Sequence, residues 1–166
     1  QTTDSSTAEI LMADTDLSTN QLLDVPLEDQ YGGEIMMENG CEITALSMLL
    51  NYYGYETDKN ELVDLLDFVP LYEDAENEIH GNPHEGYEAM GVAVEPIAEV
   101  ANEVVQDNQR VVANNDTSFD ELINVVQVGT PVWVITTVDF QVPTEDDFRT
   151  WQTTSGEIEV SPLCHA

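Results

Sequence analysis

The sequence predicts an α+β domain in which one buried helix packs against an antiparallel sheet. The helix is predicted because apolar residues recur at helical spacing. These residues are Ile43, Leu46, Leu50 and Tyr53. The sheet is predicted because the later part of the chain carries short β-branched runs between turn formers. At 166 residues and 42% apolar content, the chain is long enough for one domain with a real core.

The chain divides into a polar lead-in and this domain. Residues 1–22 are rich in Thr, Ser and Asp and predict a flexible segment, whereas residues 23–166 form the domain. No signal peptide is visible, because Gln1 begins a polar stretch without a basic region, although a processed exported protein would look the same. No apolar run approaches the roughly 20 residues that span a bilayer.

The charge balance is strongly acidic. The chain has 34 Asp and Glu residues against 3 Lys and Arg residues, for a formal charge of -31. Nucleic acid is excluded as a partner, because phosphate binding needs clustered basic residues, and anionic membranes are disfavoured. Two interpretations stay open: a protein of a high-salt or cation-rich environment, and a merely acidic secreted protein.

The first predicted elements lead up to a cysteine. Leu23–Leu27 predicts an edge strand or an extended segment, because it contains Pro26. Asn39 is a helix cap and Gly40 allows a tight turn, so Cys41 falls in the first turn of the buried helix, which Gly54 ends. A helix amino end favours the thiolate, which is the nucleophile. The alternative is that Cys41 is a small buried hydrophobic residue.

The middle of the chain predicts two further helices and a strand. Asp58 and Glu61 resemble a capping box that opens a second helix, which ends before Pro70. Pro96 stands in the first turn of a third helix, Pro96–Val105. Val111–Ala113 predicts a short buried strand.

The last part of the chain predicts one more helix and most of the sheet. A capping box of Ser118 and Glu121 opens the helix Ser118–Gln127, and Gly129 ends it. The run 131–138 is apolar on both faces and predicts a central strand. Three later segments predict short strands of one antiparallel sheet: Trp151–Thr153, Ile158–Val160 and Leu163–Ala166.

Neither a metal site nor a disulfide scaffold is predicted. His80 and His84 lie near carboxylates, but Pro83 and the glycines around it oppose the helix that would align them as ligands. Cys41 and Cys164 are too few for a disulfide scaffold, and no cofactor is expected.

The residues around Cys41 resemble a known family. The run NGCEITALSMLLNYYGY (39–55) resembles the nucleophile helix of the C39-like peptidases, which are papain-like cysteine peptidases. Further stretches resemble the family in the same order, and the likeness covers roughly residues 23 to 166. These stretches are VPLEDQ (25–30), GNPHEGYEAMG (81–91), EPIAEVAN (95–102), GTPVWVITT (129–137) and CHA (164–166).

The resemblance implies a papain-like fold and a catalytic pair. Cys41 would be the nucleophile and His165 the base, held as a thiolate–imidazolium ion pair. Gln30 would donate its side-chain amide to the oxyanion, beside the backbone N–H of Cys41. The reaction would be acyl transfer, with a thioester formed and then hydrolysed. Without the resemblance, a strand histidine is more often structural.

The resemblance also implies a substrate and a location. The substrate would be a peptide or protein, and the protein would be secreted or at the cell surface. Glu42, His84 and Tyr87 are assigned to the substrate cleft. The oligomeric state is open.

The sequence departs from the family at its end. Family members continue past this histidine with further sheet strands and the Asp or Asn that orients the imidazole, and the chain stops at Ala166. The third catalytic residue and these strands are expected to be missing. Two alternatives therefore remain beside the peptidase: a non-catalytic binding or surface module on the same fold, and another Cys-His acyl-transfer enzyme such as an amidase or transglutaminase-like protein.

Overall fold

The structure, a computed structural model, describes residues 22–33, 37–68, 72–73, 79–80, 91–106, 111–161 and 164–166. Residues 72–73 and 79–80 are described for the backbone alone. Four α-helices lie in this part of the chain: α1 (Cys41–Tyr52), α2 (Lys59–Val63), α3 (Val94–Val105) and α4 (Phe119–Gln127).

Six short strands form two sheets. They are β1 (Tyr72–Glu73), β2 (Ile79–His80), β3 (Thr136–Thr137), β4 (Arg149–Thr153), β5 (Gly156–Val160) and β6 (Cys164–His165). The larger sheet has the order β1-β2-β4-β5 and is antiparallel except for the parallel β2–β4 pair. In the smaller sheet β3 pairs antiparallel with β6, so that Thr136 lies opposite His165. The predicted α+β class is confirmed, but the last strand does not join one sheet with β4 and β5.

Helix α1 begins and ends near the predicted residues. It starts directly after Gly40, which takes the cap position in place of Asn39, and no side chain caps it. At its end, Gly54 has φ 84° and donates to the carbonyl of Asn51, while Tyr55 donates to that of Leu50. This pair of bonds is a Schellman motif, which satisfies the last carbonyls of the helix.

The two predicted capping boxes are the starts of α2 and α4. The Asp58 side chain accepts from the backbone N–H groups of Asn60 and Glu61. Ser118 and Glu121 exchange both bonds of a full capping box. Helix α2 is shorter than predicted, because it ends at Val63 in a turn.

The core lies between the first three helices. It is formed by buried apolar side chains from these helices, from the bend after α2 and from the residues just before α3: Ile43, Leu46, Leu50, Leu62, Leu66, Val92, Ile97, Val100, Ala101 and Val105. Helix α1 contacts both α2 and α3, so its amino end is held by the most buried part of the molecule. Burying one large apolar side chain adds about 1.5–3 kcal/mol to the free energy of unfolding, so this cluster stabilises the fold.

The predictions for the remaining strands are wrong in extent. Val111–Ala113 has no regular secondary structure, and the run 131–138 is a strand only at Thr136–Thr137. Leu23–Leu27 is not a strand either, which leaves the extended segment as the interpretation of that stretch. Val134 and Ile135 are 36% and 43% exposed. The reason is that β6 is the only described neighbour of this run, and a strand apolar on both faces is buried only when the sheet and its layers cover both.

None of the described helices is long and apolar enough to span a bilayer. The domain boundary at residue 22 and the lead-in before it stay predictions, since residues 1–21 lie outside the described part of the chain.

Candidate active site

Cys41 is the first residue of α1, and close packing places it there. A Cβ on Gly40 would lie 2.5 Å from Cβ and 2.8 Å from the sulfur of Met37, so only glycine fits at this position. Thr44 then fixes the first turn, because its backbone N–H and its hydroxyl both bond the carbonyl of Gly40. The half-buried thiol therefore stands at the amino end of a helix anchored in the core.

The surroundings of the thiol keep it protonated. The pKa of Cys41 is raised from the ordinary 9.0 to about 11, chiefly by burial, although a contact with the backbone N–H of Ala166 lowers it. The thiol donates to Oε2 of Glu42 at 3.1 Å, and this carboxylate is a second cause of the raised pKa. The pKa of Cys41 is therefore raised, and not lowered as the expected ion pair requires. Desolvation outweighs the helix end.

Glu42 lies beneath the thiol and not on an open surface. Its side chain is 3% exposed, and Oε1 accepts from the backbone N–H of Val92 at 3.3 Å. Gly91 approaches so closely that a Cβ there would lie 2.8 Å from Oε1. The Trp133 indole N–H donates to the Glu42 carbonyl at 3.0 Å. The residue assigned to the cleft is thus a buried acceptor that joins three segments at the amino end of α1.

His165 is presented by the smaller sheet. It is exposed on β6, where it pairs with Thr136, and it precedes the Ala166 whose N–H meets the Cys41 thiol. Within the described residues no side chain hydrogen-bonds to its imidazole. Cys164, on the other side of His165, is half-buried, and burial and then the charge of Glu42 raise its pKa.

Gln30 lies at the same site, but its side-chain amide is already used in hydrogen bonds to the backbone. Its Nε2 donates to the carbonyl oxygens of Met37 at 2.8 Å and Glu38 at 3.2 Å. The backbone N–H of Met37 in turn donates to the Gln30 carbonyl. Both amide hydrogens thus hold the loop before α1, and a donor for an oxyanion requires one of these bonds to open.

These three residues line one open cavity of about 600 Å³. Gln30, Cys41 and His165 share it with a largely apolar wall, which comprises Val25, Ala45, Met48, Leu49, Val132 and Val134. A cavity with an apolar wall and a few convergent polar groups is the usual form of a small binding site. Glu42 does not line it, and His84 and Tyr87 lie outside the described residues.

A metal centre is not evident at this site. In the described part of the chain, no group of three His, Cys, Asp or Glu side chains is placed to hold a metal ion.

The family model described as the Peptidase_C39 like family matches residues 22–157. The chain belongs to this family. It is 34% identical over 151 residues to YvpB of Bacillus subtilis (strain 168), an uncharacterised protein, and the match covers 87% of this chain and 58% of YvpB.

A crystal structure from Bacillus anthracis, of a protein named provisionally as a C39-like peptidase, matches with a TM-score of 0.72 and 26% identity. It covers 87% of this chain and 74% of that chain. The predicted family and the papain-like α+β fold are thereby confirmed. The chain spans less than two thirds of the length of YvpB.

The burial of Glu42 was the feature of the site that sequence reasoning missed. A signal for it exists, because Glu42, Leu46 and Leu50 are spaced by four and lie on the same buried stripe of α1. An acidic residue on such a stripe indicates a buried carboxylate that needs donors.

Proposed function

We propose that the chain is a cysteine peptidase domain in which Cys41 is the nucleophile and His165 the base. The observation that carries the proposal is that the two residues, distant in sequence, line one cavity beside Gln30. Family membership supports it, because Gln30 and Cys41 lie within the matched residues 22–157, whereas His165 lies beyond them and is assigned by the resemblance of the CHA run (164–166).

The proposed reaction starts from a neutral thiol. Because the pKa of Cys41 is about 11, the thiol proton passes to the imidazole of His165 as the sulfur attacks the peptide carbonyl. The new C–S bond gives a tetrahedral oxyanion beside the backbone N–H of Cys41, and the imidazolium protonates the leaving amine as the C–N bond breaks. Water then hydrolyses the thioester and restores the thiol.

Gln30 takes part in this proposal through a rearrangement. One of its bonds, to Met37 or Glu38, opens so that the amide reaches the oxyanion. The bond to Glu38 is the longer of the two at 3.2 Å and is the one we expect to open.

The proposed substrate is a peptide or protein segment outside the cell. The apolar wall suits an extended peptide that buries side chains, and the charge of -31 repels anionic partners.

The test is hydrolysis of a pool of quenched-fluorescent peptides in high salt. We expect Cys41→Ala to abolish cleavage and His165→Ala to lower kcat about 10²–10⁴-fold. The chain provides a matched control in its other cysteine, and Cys164→Ala should cleave at close to the wild-type rate. Cleavage that survives Cys41→Ala would refute the proposal.

A second candidate function is peptide binding without cleavage. It is favoured by two observations: the protonated thiol and the engaged amide of Gln30. It predicts that the same peptides bind to wild type and to Cys41→Ala with equal affinity and leave unchanged. Glutamine-containing peptides with an added primary amine would reveal a transglutaminase-like reaction instead.

A further inference from the structure

Lys59, the only lysine of the chain, is buried. Its exposed fraction is 2%, although lysine is almost never fully buried unless its amine is paired. It is the first residue of α2, directly after the capping residue Asp58. Burial of the flexible side chain costs up to about 2 kcal/mol of rotamer entropy, so its contacts have to offset that loss.

Within the described residues, the amine and the backbone N–H of Lys59 bond to one turn. Its amine donates to the carbonyl oxygen of Asp29 at 2.6 Å and to that of Gly32. Its backbone N–H donates to Oε1 of Glu28 at 3.0 Å. The tied residues, 28–32, lie 27 to 31 positions earlier in the chain. We call residues 28–32 the Gln30 turn.

The Gln30 turn has few other attachments of its own. Residues 22–29 have no regular secondary structure, and within the turn Gly32 donates to Asp29 at 3.1 Å. Beyond the turn, Gln30 bonds the backbone of Met37 and Glu38 through its amide. The bonds from Lys59 therefore attach the turn to α2, whereas the bonds of Gln30 attach it to the loop before α1.

Helix α2, which carries Lys59, is itself fixed on the nucleophile helix. Leu62 is 1% exposed and packs in the core with Ile43 and Leu46 of α1. A continuous path thus runs from the Cys41 helix through α2 and Lys59 to Gln30. The position of Gln30 relative to Cys41 therefore depends on the Lys59 amine as well as on the bonds of Gln30 to Met37 and Glu38.

We propose that Lys59 is a positioning residue, which holds the amide of Gln30 in register with Cys41. This role rests on the proposed function of the site and adds to it a residue that does not itself line the cavity but bonds to Glu28 and Asp29, which do. Replacement of the amine by a methyl-sized end would keep the packing but leave two carbonyls without their donor, so that the turn would shift.

A double-mutant cycle tests this role. Lys59→Met should lower kcat toward peptides about 10²-fold and leave KM little changed, as expected for loss of one oxyanion donor. In a Gln30→Ala background the same substitution should lower kcat no further, because it acts through Gln30. Equal losses in both backgrounds would overturn the proposal. If Lys59→Met does not fold, Lys59→Gln replaces it in the cycle.

Asn102 supplies a matched control. Asn102 lies on α3 and holds a separate segment, because its side chain exchanges hydrogen bonds with the backbone of Val111 at 2.8 and 2.9 Å. None of these bonds involves the Gln30 turn. Any loss of kcat in Asn102→Leu should be the same with and without Gln30.

A readout without turnover separates this inference from the peptidase proposal. Hydrogen exchange of the Gln30 side-chain amide, followed by NMR, should be about tenfold faster in Lys59→Met than in wild type, because exchange reports opening of its bonds. Unchanged exchange would overturn the positioning role. An inactive wild type with faster exchange in the variant would refute the peptidase proposal while the position of Gln30 still depended on Lys59.

Discussion

The thiol of Cys41 donates a hydrogen bond of 3.1 Å to the carboxylate of Glu42, the next residue of α1. The same carboxylate accepts from the backbone N–H of Val92, so it is fixed in place under the thiol. The acceptor and the burial together keep the proton on sulfur. The cysteine at the amino end of α1 is thus protonated, and we expect it to react only when a base removes its proton.

Replacement of Glu42 should make Cys41 more reactive. Glu42→Gln removes a negative charge beside the sulfur, so we expect the pKa of Cys41 to fall below about 11. Below the pKa, each unit of decrease gives about tenfold more thiolate and correspondingly faster alkylation. The measurement is iodoacetamide labelling of Cys41 at neutral to mildly alkaline pH, read by peptide mass spectrometry.

Glu56→Gln is the control for this measurement, because Glu56 is exposed and carries the same charge. It should leave the rate at Cys41 unchanged. A rate in Glu42→Gln equal to or below that of wild type would show that Glu42 does not hold the proton.

The raised pKa of Cys41 should make the fold less stable at alkaline pH. Between pH 9 and about 11 the unfolded chain has lost the thiol proton while the folded chain keeps it. The unfolded state then binds fewer protons, so the free energy of unfolding falls as the pH rises. Urea unfolding across this range should show a shallower fall for Cys41→Ala than for wild type, and parallel curves would count against a raised pKa.

The start of α2 should contribute measurably to stability. Asp58→Ala removes the acceptor of two backbone N–H groups, at Asn60 and Glu61, and should lower the free energy of unfolding by about 1 kcal/mol. Asp64→Ala is the control, because Asp64 is exposed at the other end of the same helix. If the two variants unfold at the same urea concentration, the cap at Asp58 does not contribute to the free energy of unfolding.

Salt should stabilise the protein. The formal charge of -31 gives self-repulsion that ions screen, and the Debye length falls from about 10 Å at 0.1 M to about 3 Å at 1 M. We expect Tm to rise by several degrees in potassium chloride, with most of the rise below about 1 M, as screening saturates. A Tm that stays constant or falls would contradict this, and a purely linear rise would indicate solute exclusion instead.

Sequence reasoning predicted the helices better than the strands, because helix signals are local. A helix cap bonds only to its immediate neighbours, so a short sequence pattern is enough to predict where a helix starts or ends. This holds for Asp58, Ser118 and Gly54. The pairing of Thr136 with His165 joins residues far apart in the chain. No local pattern specifies that pairing, and the single described neighbour of the run 131–138 leaves apolar residues exposed.

The sequence predicted which three residues would line the cavity, but not the hydrogen bonds and the protonation that the structure gives them. The resemblance located Cys41, His165 and Gln30, which line one cavity. It did not predict that the amide of Gln30 is engaged by the loop before α1 or that Glu42 keeps the thiol protonated. Both depend on burial and on short contacts between side chains and backbone, which residue types alone do not specify.

The most direct measurement is detection of an acyl group on Cys41. Wild-type protein is mixed with a reactive peptide ester in high salt, quenched with acid within the first turnover, and digested for mass spectrometry. We predict that the acyl mass appears on the peptide that contains Cys41, is absent in Cys41→Ala and persists in Cys164→Ala. Hydrolysis without an acyl group on Cys41, or an acyl group on Cys164 instead, would contradict the assignment of Cys41 as the nucleophile.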